Sequence, residues 1–470
     1  MIESGIVGRV TSGIVGRLGG GLPLRPKFAL DPLDLTDQFG NTPEAAIRAS
    51  AGTVFDYAGV LQTIPTDMHR LSGGRYSGGA WYRDDGAGNS LHPHRNIDGV
   101  LVPWTYPDWT IGAWSAGSYC NDGTYYYYTL AGGIDSAAFG DGITWVNMGL
   151  YDRTYGLLCS KGSTNINTNS NKAPAVNASM SPAAVDNNAT GLDGSASATT
   201  YVGCTGFNQK NITTPADTLT YCLSCFAWAI GAGAVLDLQF TGFNGGDNNS
   251  ANGGYYDFDT DTFNAFSLSL GYKRQIMPDG RVRIWRAFTN TSLTLFILRH
   301  TAAGTMDNLV TEGWQLEVGD SPSAYIPTGA AAASSDPDTI KWADAFINQA
   351  KGHFEFVFYA GSIVAGEQYL SINGAANSLL YASAADTLAM ADGTNVATVA
   401  ATPNKWNQVI GTWDAVGNMQ LSCRNASDGG AWVDGTAVAY DGGFADGGFI
   451  TPCAGLDSSV IVRELNVYDV

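Results

Sequence analysis

Short strand-like segments separated by turn residues recur along the chain, and this pattern is typical of β-sheet proteins. The segments either alternate large and polar side chains or form brief apolar runs, and Gly, Asn, Asp, Ser and Pro stand between them. The clearest cover residues 220–230, 235–240, 282–288, 354–359, 406–413, 419–424 and 459–468. We therefore expect an all-β protein built from β-sandwich (jelly-roll) domains in tandem.

The composition agrees with this expectation and restricts the partners. Only 14% of the 470 residues are charged, against about 25% in an average soluble protein, and 59 are glycine, which favours strands and tight turns over helices. The formal net charge of −19 opposes contact with nucleic acid and with anionic membranes, so we expect neither as a partner. No run approaches the ~18 apolar residues of a membrane-spanning helix, so no membrane insertion is expected.

The first 30 residues differ in charge from the remainder: they carry a net +3, which leaves −22 for the rest of the chain. Within them the sequence SGIVGR occurs twice, at residues 4–9 and 12–17. Each copy offers an apolar pair and an arginine, which are Ile6, Val7 and Arg9 in the first and Ile14, Val15 and Arg17 in the second. We expect a flexible arm that orders on an acidic, partly apolar groove of a partner. The alternative is a disordered terminus without a role.

The stretch from Gly313 to Gly329 reads GWQLEVGDSPSAYIPTG and combines a strand, a turn and an extended segment. Alternation predicts a strand with Trp314, Leu316 and Val318 on its buried face. The GDSP sequence indicates a turn, and Pro327 then favours an extended backbone in the YIPT segment.

This stretch, a QLE strand followed by YIPT, resembles the closing segment of the carbohydrate-binding-like sandwich of tailed-phage fibre and head-spike proteins. Four further segments resemble parts of the same family in the same order: RAS at 48–50, GVLQT at 59–63, the GLL and TN sequences within 156–165, and GRVRIWR at 280–286. The resemblance implies a sandwich that begins near residue 156 and ends with YIPT.

The last 130 or so residues carry a second resemblance. Residues 406–413, a Val-Gly-Asn turn and residues 419–422 resemble the central hairpin of laminin-G-like, concanavalin-type sandwiches, and residues 462–469 resemble their closing strand. This implies a second β-sandwich at the C-terminal end.

We therefore divide the chain into four parts. Residues 1–44 are predicted to be a flexible basic anchor arm with a Pro-rich linker, and residues 45–155 a loop-rich β region. Residues 156–330 are the predicted carbohydrate-binding-like sandwich, and residues 339–470 the laminin-G-like sandwich. A linker of small residues separates the two.

We do not expect an enzyme, because the sequence contains no recognisable arrangement of catalytic residues. Glycan cleavage would need two carboxylates across a cleft. Asp257 with Asp259, or Asp84 with Asp85, are the nearest to such a pair. Asp-rich turns in β-proteins, however, more often serve the backbone.

We expect no metal site and no cofactor, although Ca²⁺ could bind oxygen-rich turns at residues 247–249 or 257–259. His92 and His94 lack the further ligands that a metal site needs. Cys222 and Cys225 lie three apart in a strand pattern, so we interpret them as buried structural thiols rather than a metal-binding or redox pair.

Glycan binding is easier to support, because sugars stack on aromatic rings and the chain has 22 Tyr and 12 Trp. The alternative for any one of these rings is a place in a core or in a subunit contact. The candidate glycan-binding residues are Trp406, Trp413, Trp432 and Tyr381.

The resemblances imply a bacteriophage virion structural protein, a fibre or spike on head or tail. Its N-terminal arm would bind capsid or tail proteins, and its sandwiches would attach to host-surface glycans. Phage fibres of this kind imply a homotrimer, which we expect residues 81–155 to hold in part. No secretory signal is visible, so we expect assembly in the host cytoplasm. A phage-borne glycan depolymerase, a capsid decoration protein without receptor binding and a free lectin remain alternatives.

Overall fold

The structure is a computed structural model. It describes the following residues: 28–30, 35, 43, 48–56, 59–78, 80–82, 112–114, 119–121, 125–129, 133–135, 145–150, 156–170, 185–204, 207–213, 218–241, 256–260, 262–263, 272–276, 281–289, 295–301, 308–343, 347–372, 378–425, 431–441, 444, 449–455 and 459–469. In these ranges the chain forms antiparallel strands and no helix, which confirms the predicted all-β, sandwich-rich fold. No helix in the described part of the chain is long and apolar enough to cross a membrane.

The N-terminal part of the chain contributes short strands. They are β1 (Phe28–Ala29), β2 (Gly52–Phe55), β3 (Leu61–Ile64), β4 (Arg70–Ser72), β5 (Arg75–Ser77), β6 (Ala80–Tyr82), β7 (Gly112–Trp114), β8 (Tyr119–Asn121), β9 (Tyr125–Thr129), β10 (Gly133–Asp135) and β11 (Trp145–Leu150). Strands β2 and β3 form a hairpin, as do β5 and β6; β7 pairs with β10, and β9 lies between β8 and β11.

The middle of the chain forms a β-sandwich. Its strands and the short strands beside it are β12 (Gly156–Ser160), β13 (Ser163–Asn165), β14 (Val185–Thr190), β15 (Ala196–Tyr201), β16 (Phe207–Thr213), β17 (Thr220–Ala229), β18 (Val235–Thr241), β19 (Tyr256–Asp257), β20 (Thr262–Phe263), β21 (Tyr272–Ile276), β22 (Val282–Thr289), β23 (Leu295–Thr301), β24 (Leu309–Val318) and β25 (Ala333–Ser335). A six-stranded sheet, β14-β15-β24-β17-β22-β21, faces a five-stranded sheet, β16-β23-β18-β19-β20. Leu223, Ile284, Trp314 and Leu316 from the first sheet pack with Leu236 from the second in one buried core.

The C-terminal part forms a second β-sandwich. Its strands are β26 (Trp342–Ala343), β27 (Lys351–Ala360), β28 (Gln368–Ile372), β29 (Ser378–Ala384), β30 (Thr387–Ala391), β31 (Val396–Ala400), β32 (Lys405–Asp414), β33 (Asn418–Asn425), β34 (Val433–Asp434), β35 (Val438–Ala439), β36 (Phe449–Gly455) and β37 (Ser459–Asp469). One layer is the six-stranded sheet β26-β36-β28-β29-β30-β31, and the other is a nine-stranded sheet ordered β34-β33-β32-β27-β37-β12-β4, with β1 and β35 at its sides. The core between them is the largest cluster of buried apolar side chains among the residues that the structure describes.

Strand β12 lies in a different sheet from the one that the sequence suggested. Residues 156–160 were predicted to open the middle sandwich, but β12 pairs with β37 on one side and with β4 on the other, in the nine-stranded sheet. Leu157 enters the C-terminal core. Strands far apart in the chain therefore complete one sheet, since pairing depends on which edge is free and not on distance along the sequence.

The region between the two sandwiches, which we call the junction, contains buried charges. Asp338 accepts a hydrogen bond from Arg48 Nη1 at 3.1 Å, binds Arg70 and also accepts one from the Ser160 amide at 2.9 Å. Arg48 further donates to the carbonyl oxygens of residues 64 and 65. The segment predicted as a linker of small residues is thus ordered here: β25 pairs with β13, and the charge of Asp338 is neutralised by two arginines.

The QLE strand is buried on both faces. Trp314 and Leu316 are in the core as predicted, but Val318 is 47% exposed, whereas Gln315 and Glu317 are fully buried. These two polar side chains face the junction, where hydrogen bonds replace the solvent. The alternation of apolar and polar residues correctly separated the two faces of β24. It could not show that the polar face is buried as well, against the junction.

A bulge separates the two halves of the β17–β24 pairing. The register shifts between the pair Ser224–Gln315 and the pair Phe226–Glu312, and Gly313 there has φ of +67°. A Cβ atom on Gly313 would lie 2.6 Å from the Phe226 ring. Glycine is therefore required both for the backbone conformation and for the close approach.

Cys222 and Cys225 are both buried free thiols, as predicted. Burial raises the pKa of each thiol, so neither is a reactive thiolate at neutral pH.

Candidate functional site

The structure places the four predicted glycan-binding aromatics in three different environments. Trp413 lies between the two sheets of the C-terminal sandwich, 1% exposed, and its indole nitrogen donates to the Asn348 carbonyl at 2.8 Å. Tyr381 is half-buried on β29, in the opposite sheet. Only Trp406 and Trp432 lie on one common surface, the face of the nine-stranded sheet that points away from the core. We call this surface the outer face.

Alternation along β27 and β32 creates the outer face. Residues 354, 356 and 358 of β27 enter the core, so 353, 355, 357 and 359 point to the other side. Trp406 pairs with Tyr359 across the β27–β32 register, and their ring centroids are 5.7 Å apart. The Arg463 guanidinium lies over the Trp406 ring at 4.0 Å. Trp406 itself is 5% exposed, so its ring is enclosed by these neighbours.

A second row crosses the sheet two residues further along the strands. The Gln408 amide donates to the Glu355 carboxyl group and accepts a hydrogen bond from Arg424 Nε at 2.6 Å. The Arg424 guanidinium in turn lies over the Trp432 ring at 4.8 Å. Strand pairing brings the row together. Gln408 pairs with Val357, which lies two residues from Glu355 on the same face of β27, and on its other side Gln408 pairs with Arg424. The row therefore runs from a buried carboxyl group to a half-buried indole.

Carboxyl groups on neighbouring strands give the outer face its electrostatic character. Burial, and secondarily the charge of Glu464, raises the pKa of Glu355 to about 8. Glu464 lies on β37, and Asn466 Nδ2 donates to it at 2.5 Å. Burial also lowers the pKa of the Arg424 guanidinium, against the effect of Glu355. At neutral pH Glu355 is therefore largely protonated. Burying this neutral, hydrogen-bonded carboxyl group costs less free energy than burying a carboxylate would.

His353 and Tyr468 end this polar surface. Their rings stack with centroids 4.1 Å apart and an interplanar angle of 12°. Burial lowers the pKa of His353 to about 4 and raises that of Tyr468, so both side chains are neutral around pH 7. His353, Glu355, Gln408, Arg463 and Trp406 are all less than 10% exposed, whereas Arg424 and Trp432 at the end of the row are half-buried.

Sequence reasoning missed Glu355, Gln408, Arg424 and Arg463. A signal was present for the first: Glu355 is the one acidic residue within the aromatic strand HFEFVFY, at a position that alternates with three phenylalanines. The partners of Glu355 could not be found in the same way, since their contacts depend on strand register.

Asp257 and Asp259, which we considered as a carboxylate pair, serve a turn. The Asp257 carboxylate accepts hydrogen bonds from the amides of Asp259 and Thr260 at 2.9 and 3.1 Å, and Asp259 accepts one from the Gly233 amide. No group of three His, Cys, Asp or Glu residues close enough to hold a metal ion occurs among the residues that the structure describes. Asp84, Asp85, His92, His94 and residues 247–249 lie outside the described ranges.

The anchor residues Ile6, Val7, Arg9, Ile14, Val15 and Arg17 also lie outside the described ranges, as does most of the segment predicted to hold a trimer. Both remain predictions. No model of a known protein family matches the chain, and a search of curated proteins likewise finds no match.

Proposed function

We propose that the chain is a structural protein of a bacteriophage virion, a fibre or spike anchored by its N-terminal arm, whose β-sandwiches attach to host-surface glycan. The arm would bind capsid or tail proteins, and the chain would act as a homotrimer.

One observation carries the proposal: the N-terminal part of the chain and the C-terminal sandwich share a sheet. Strands β1 and β4 pair into the nine-stranded sheet beside β37 and β12. A fibre has to hold its distal module in a defined position relative to its anchor. Shared strands supply such a connection, because separating the two parts would break the backbone hydrogen bonds that join β1 to β37 and β4 to β12.

The resemblance to phage proteins is carried by residues that contact one another at the junction. Arg48 of RAS binds Asp338, and Asn165 of the TN sequence donates to the Ile326 carbonyl of YIPT at 2.8 Å. Gln315 of QLE accepts a hydrogen bond from the Ile326 amide at 2.7 Å. The RAS, TN, QLE and YIPT motifs therefore contribute to one buried polar network. Because these motifs depend on one another in the fold, their joint occurrence supports the family resemblance.

The glycan-binding part of the proposal rests on Trp432 and Arg424, with Tyr381 as a second surface aromatic. Trp432 and Arg424 are both half-buried, so each keeps surface for a ligand. Aromatic stacking combined with arginine donors is a common way to bind a polar ligand. Trp406 and Trp413 are enclosed in this structure, and we assign them no contact with glycan.

Immunoelectron microscopy tests the virion assignment. Antibody against this chain is expected to label purified phage particles, and deletion of residues 1–20 is expected to leave a folded, soluble chain that no longer joins particles. Unlabelled particles, or normal incorporation of the truncated chain, would contradict the assignment.

Light scattering at micromolar concentration tests the trimer, since a folded monomer would refute it.

Adsorption of the purified chain to host cells tests the glycan assignment. Binding is expected to fall strongly on cells without surface polysaccharide and in the variant Trp432→Ala. Val416→Ala is the matched control, because Val416 is 95% exposed at the tip of the β32–β33 hairpin and away from Trp432. Equal adsorption to both cell types would refute glycan attachment.

A glycan depolymerase is the second candidate, favoured by the neighbouring carboxyl groups of Glu355 and Glu464 and the raised pKa of Glu355. Glycosidases use one carboxyl group held protonated near pH 7. Release of reducing sugar from host polysaccharide, abolished by Glu355→Gln, would support this candidate. Adsorption without sugar release would favour the fibre.

A further inference from the structure

A small cavity lies in the junction, where three parts of the chain meet. Its walls come from the β2–β3 hairpin, from the six-stranded sheet of the middle sandwich and from β12 and β37 of the nine-stranded sheet. The cavity has a volume of about 40 Å³, enough for a carboxylate group and too small for a sugar ring. Mostly apolar walls with a few convergent polar groups at a domain boundary are typical of small-ligand sites.

Arg283 is the one charged residue among those that line the cavity. It is 3% exposed. Nη1 donates to the Ser323 carbonyl at 2.5 Å and Nη2 to Ser224 Oγ at 3.1 Å, while the buried Nε–H has no acceptor among the described residues. A guanidinium group has five N–H donors, so Arg283 retains three beyond these two bonds.

Packing holds this guanidinium group in place. It lies over the Phe226 ring at 5.1 Å, and Phe226 makes edge contacts with Phe55 and Tyr325. Burial lowers the pKa of Arg283 and the charge of Glu317 opposes this, but the Glu317 carboxylate accepts its hydrogen bonds from the Ser323 amide at 2.5 Å and the Ser323 hydroxyl at 2.6 Å. The cavity therefore presents a fixed cation with unused donors and no carboxylate of its own.

We propose that the junction cavity binds a carboxylate group, which Arg283 holds through Nε–H and a neighbouring N–H. Carboxylate oxygens match the parallel donors of a guanidinium edge, and such paired bonds are among the strongest hydrogen bonds in proteins. Gln275 is half-buried in the cavity wall and supplies an amide that can bond the outer part of the ligand. Two sources share this chemistry: a free small carboxylate, or the carboxylate of an acidic sugar whose ring stays outside. Only the second source rests on the proposed glycan attachment.

Calorimetric titration of the full chain with sodium acetate, and separately with sodium glucuronate, tests the site, with sodium chloride at equal ionic strength as the reference. Acetate is expected to bind saturably and to raise the melting temperature, because a ligand that binds only the folded state stabilises it. Binding of both compounds assigns the site to acidic sugars, and binding of acetate alone assigns it to free carboxylates. Absence of acetate binding means that the cavity holds only water and overturns the proposal.

Three variants locate the site. Arg283→Lys, which removes the paired donors, is expected to weaken acetate binding at least tenfold. Leu61→Trp keeps Arg283 but fills the cavity from the hairpin side, and is expected to abolish binding. Arg281→Lys is the matched control two residues away, just before β22, because Arg281 contacts the Gly59 carbonyl and the Trp228 ring and does not line the cavity.

Unchanged acetate binding in Arg283→Lys and Leu61→Trp would overturn the proposal, since acetate would then bind elsewhere. If Arg283→Lys does not fold, Leu61→Trp decides alone, with its fold checked by circular dichroism. None of these results depends on labelling of phage particles, so failure of the carboxylate site and failure of the proposed function are distinguishable.

Discussion

The junction and the outer face of the nine-stranded sheet are both buried and polar, but they neutralise their charges differently. At the junction, Asp338 is paired with two arginines and Glu317 accepts hydrogen bonds from the Ser323 amide and hydroxyl. On the outer face, Glu355 is bonded to a glutamine side chain, and burial, with a smaller contribution from the charge of Glu464, raises its pKa to about 8.

The difference separates a structural network from a titratable one. At the junction, two arginines bond directly to Asp338 and a backbone amide bonds to Glu317, so the network ties together segments from distant parts of the chain. Glu355 has weaker support for its charge and should change protonation near neutrality. Four substitutions test this comparison, in order of decreasing expected effect.

Asp338→Ala is expected to destabilise the protein most, by about 3–5 kcal/mol, because it leaves Arg48 and Arg70 buried without a counter-charge. Urea unfolding followed by tryptophan fluorescence measures the loss. Asp336→Ala is the matched control, since Asp336 lies two residues away and is exposed. Equal midpoints for the two variants would show that the arginines find other partners and that the junction does not depend on Asp338.

Glu317→Ala is expected to cost about 2–3 kcal/mol, because the Ser323 amide and hydroxyl and the Gln315 amide lose a buried acceptor. The same unfolding experiment applies. Val318→Ala, at the exposed end of the same strand, should change stability by less than about 0.5 kcal/mol. A similar small effect for Glu317→Ala would place the strength of the junction elsewhere.

Glu355→Gln is expected to remove a pH dependence. The folded protein keeps the Glu355 proton up to about pH 8, whereas the unfolded chain releases it near pH 4.5, so stability falls as pH rises between these values. His353 has the opposite effect between about pH 4 and 6.5, because its folded pKa is lowered. Above pH 6.5 only the Glu355 effect of these two remains.

From pH 6.5 to 7.5 the unfolding free energy of the wild-type protein should therefore fall by about 1 kcal/mol, and that of Glu355→Gln should stay nearly level. Unfolding midpoints in this interval measure the effect. Asp386→Asn, at an exposed turn, should retain the wild-type slope. An unchanged slope in Glu355→Gln would mean that Glu355 is ionised in the folded state and that the two networks do not differ.

Trp432→Ala should have the smallest effect on stability, below about 1 kcal/mol, because it removes one cation–π contact at a half-buried position. Trp413→Ala, in the core of the same sandwich, should cost about 3–5 kcal/mol. Thermal unfolding of the two variants compares them. A large loss for Trp432→Ala would identify Trp432 as a core residue and weaken its assignment to glycan.

Residue patterns along the chain were enough to predict the fold class and most of the long strands. Alternation located β17, β22, β27, β32 and β37 to within a few residues, since a strand with one buried face repeats every two residues. It overlooked β30 and β31, whose small side chains, as in Thr-Leu-Ala-Met-Ala, form no marked pattern. Trp406 and Trp413 are seven residues apart on one strand and so must face opposite sides, which the sequence could have shown.

Tertiary structure alone decided which of those sides is the core, which sheet β12 joins and which residues meet at the junction. Arg48 and Asp338 are 290 positions apart, and nothing local to either residue indicates the other. The same holds for the row from Glu355 to Trp432, where four residues come together through the register of three strands and the segment before β34. Local pattern reports the backbone conformation of a segment, whereas long-range pairing depends on every other strand that competes for the same edge.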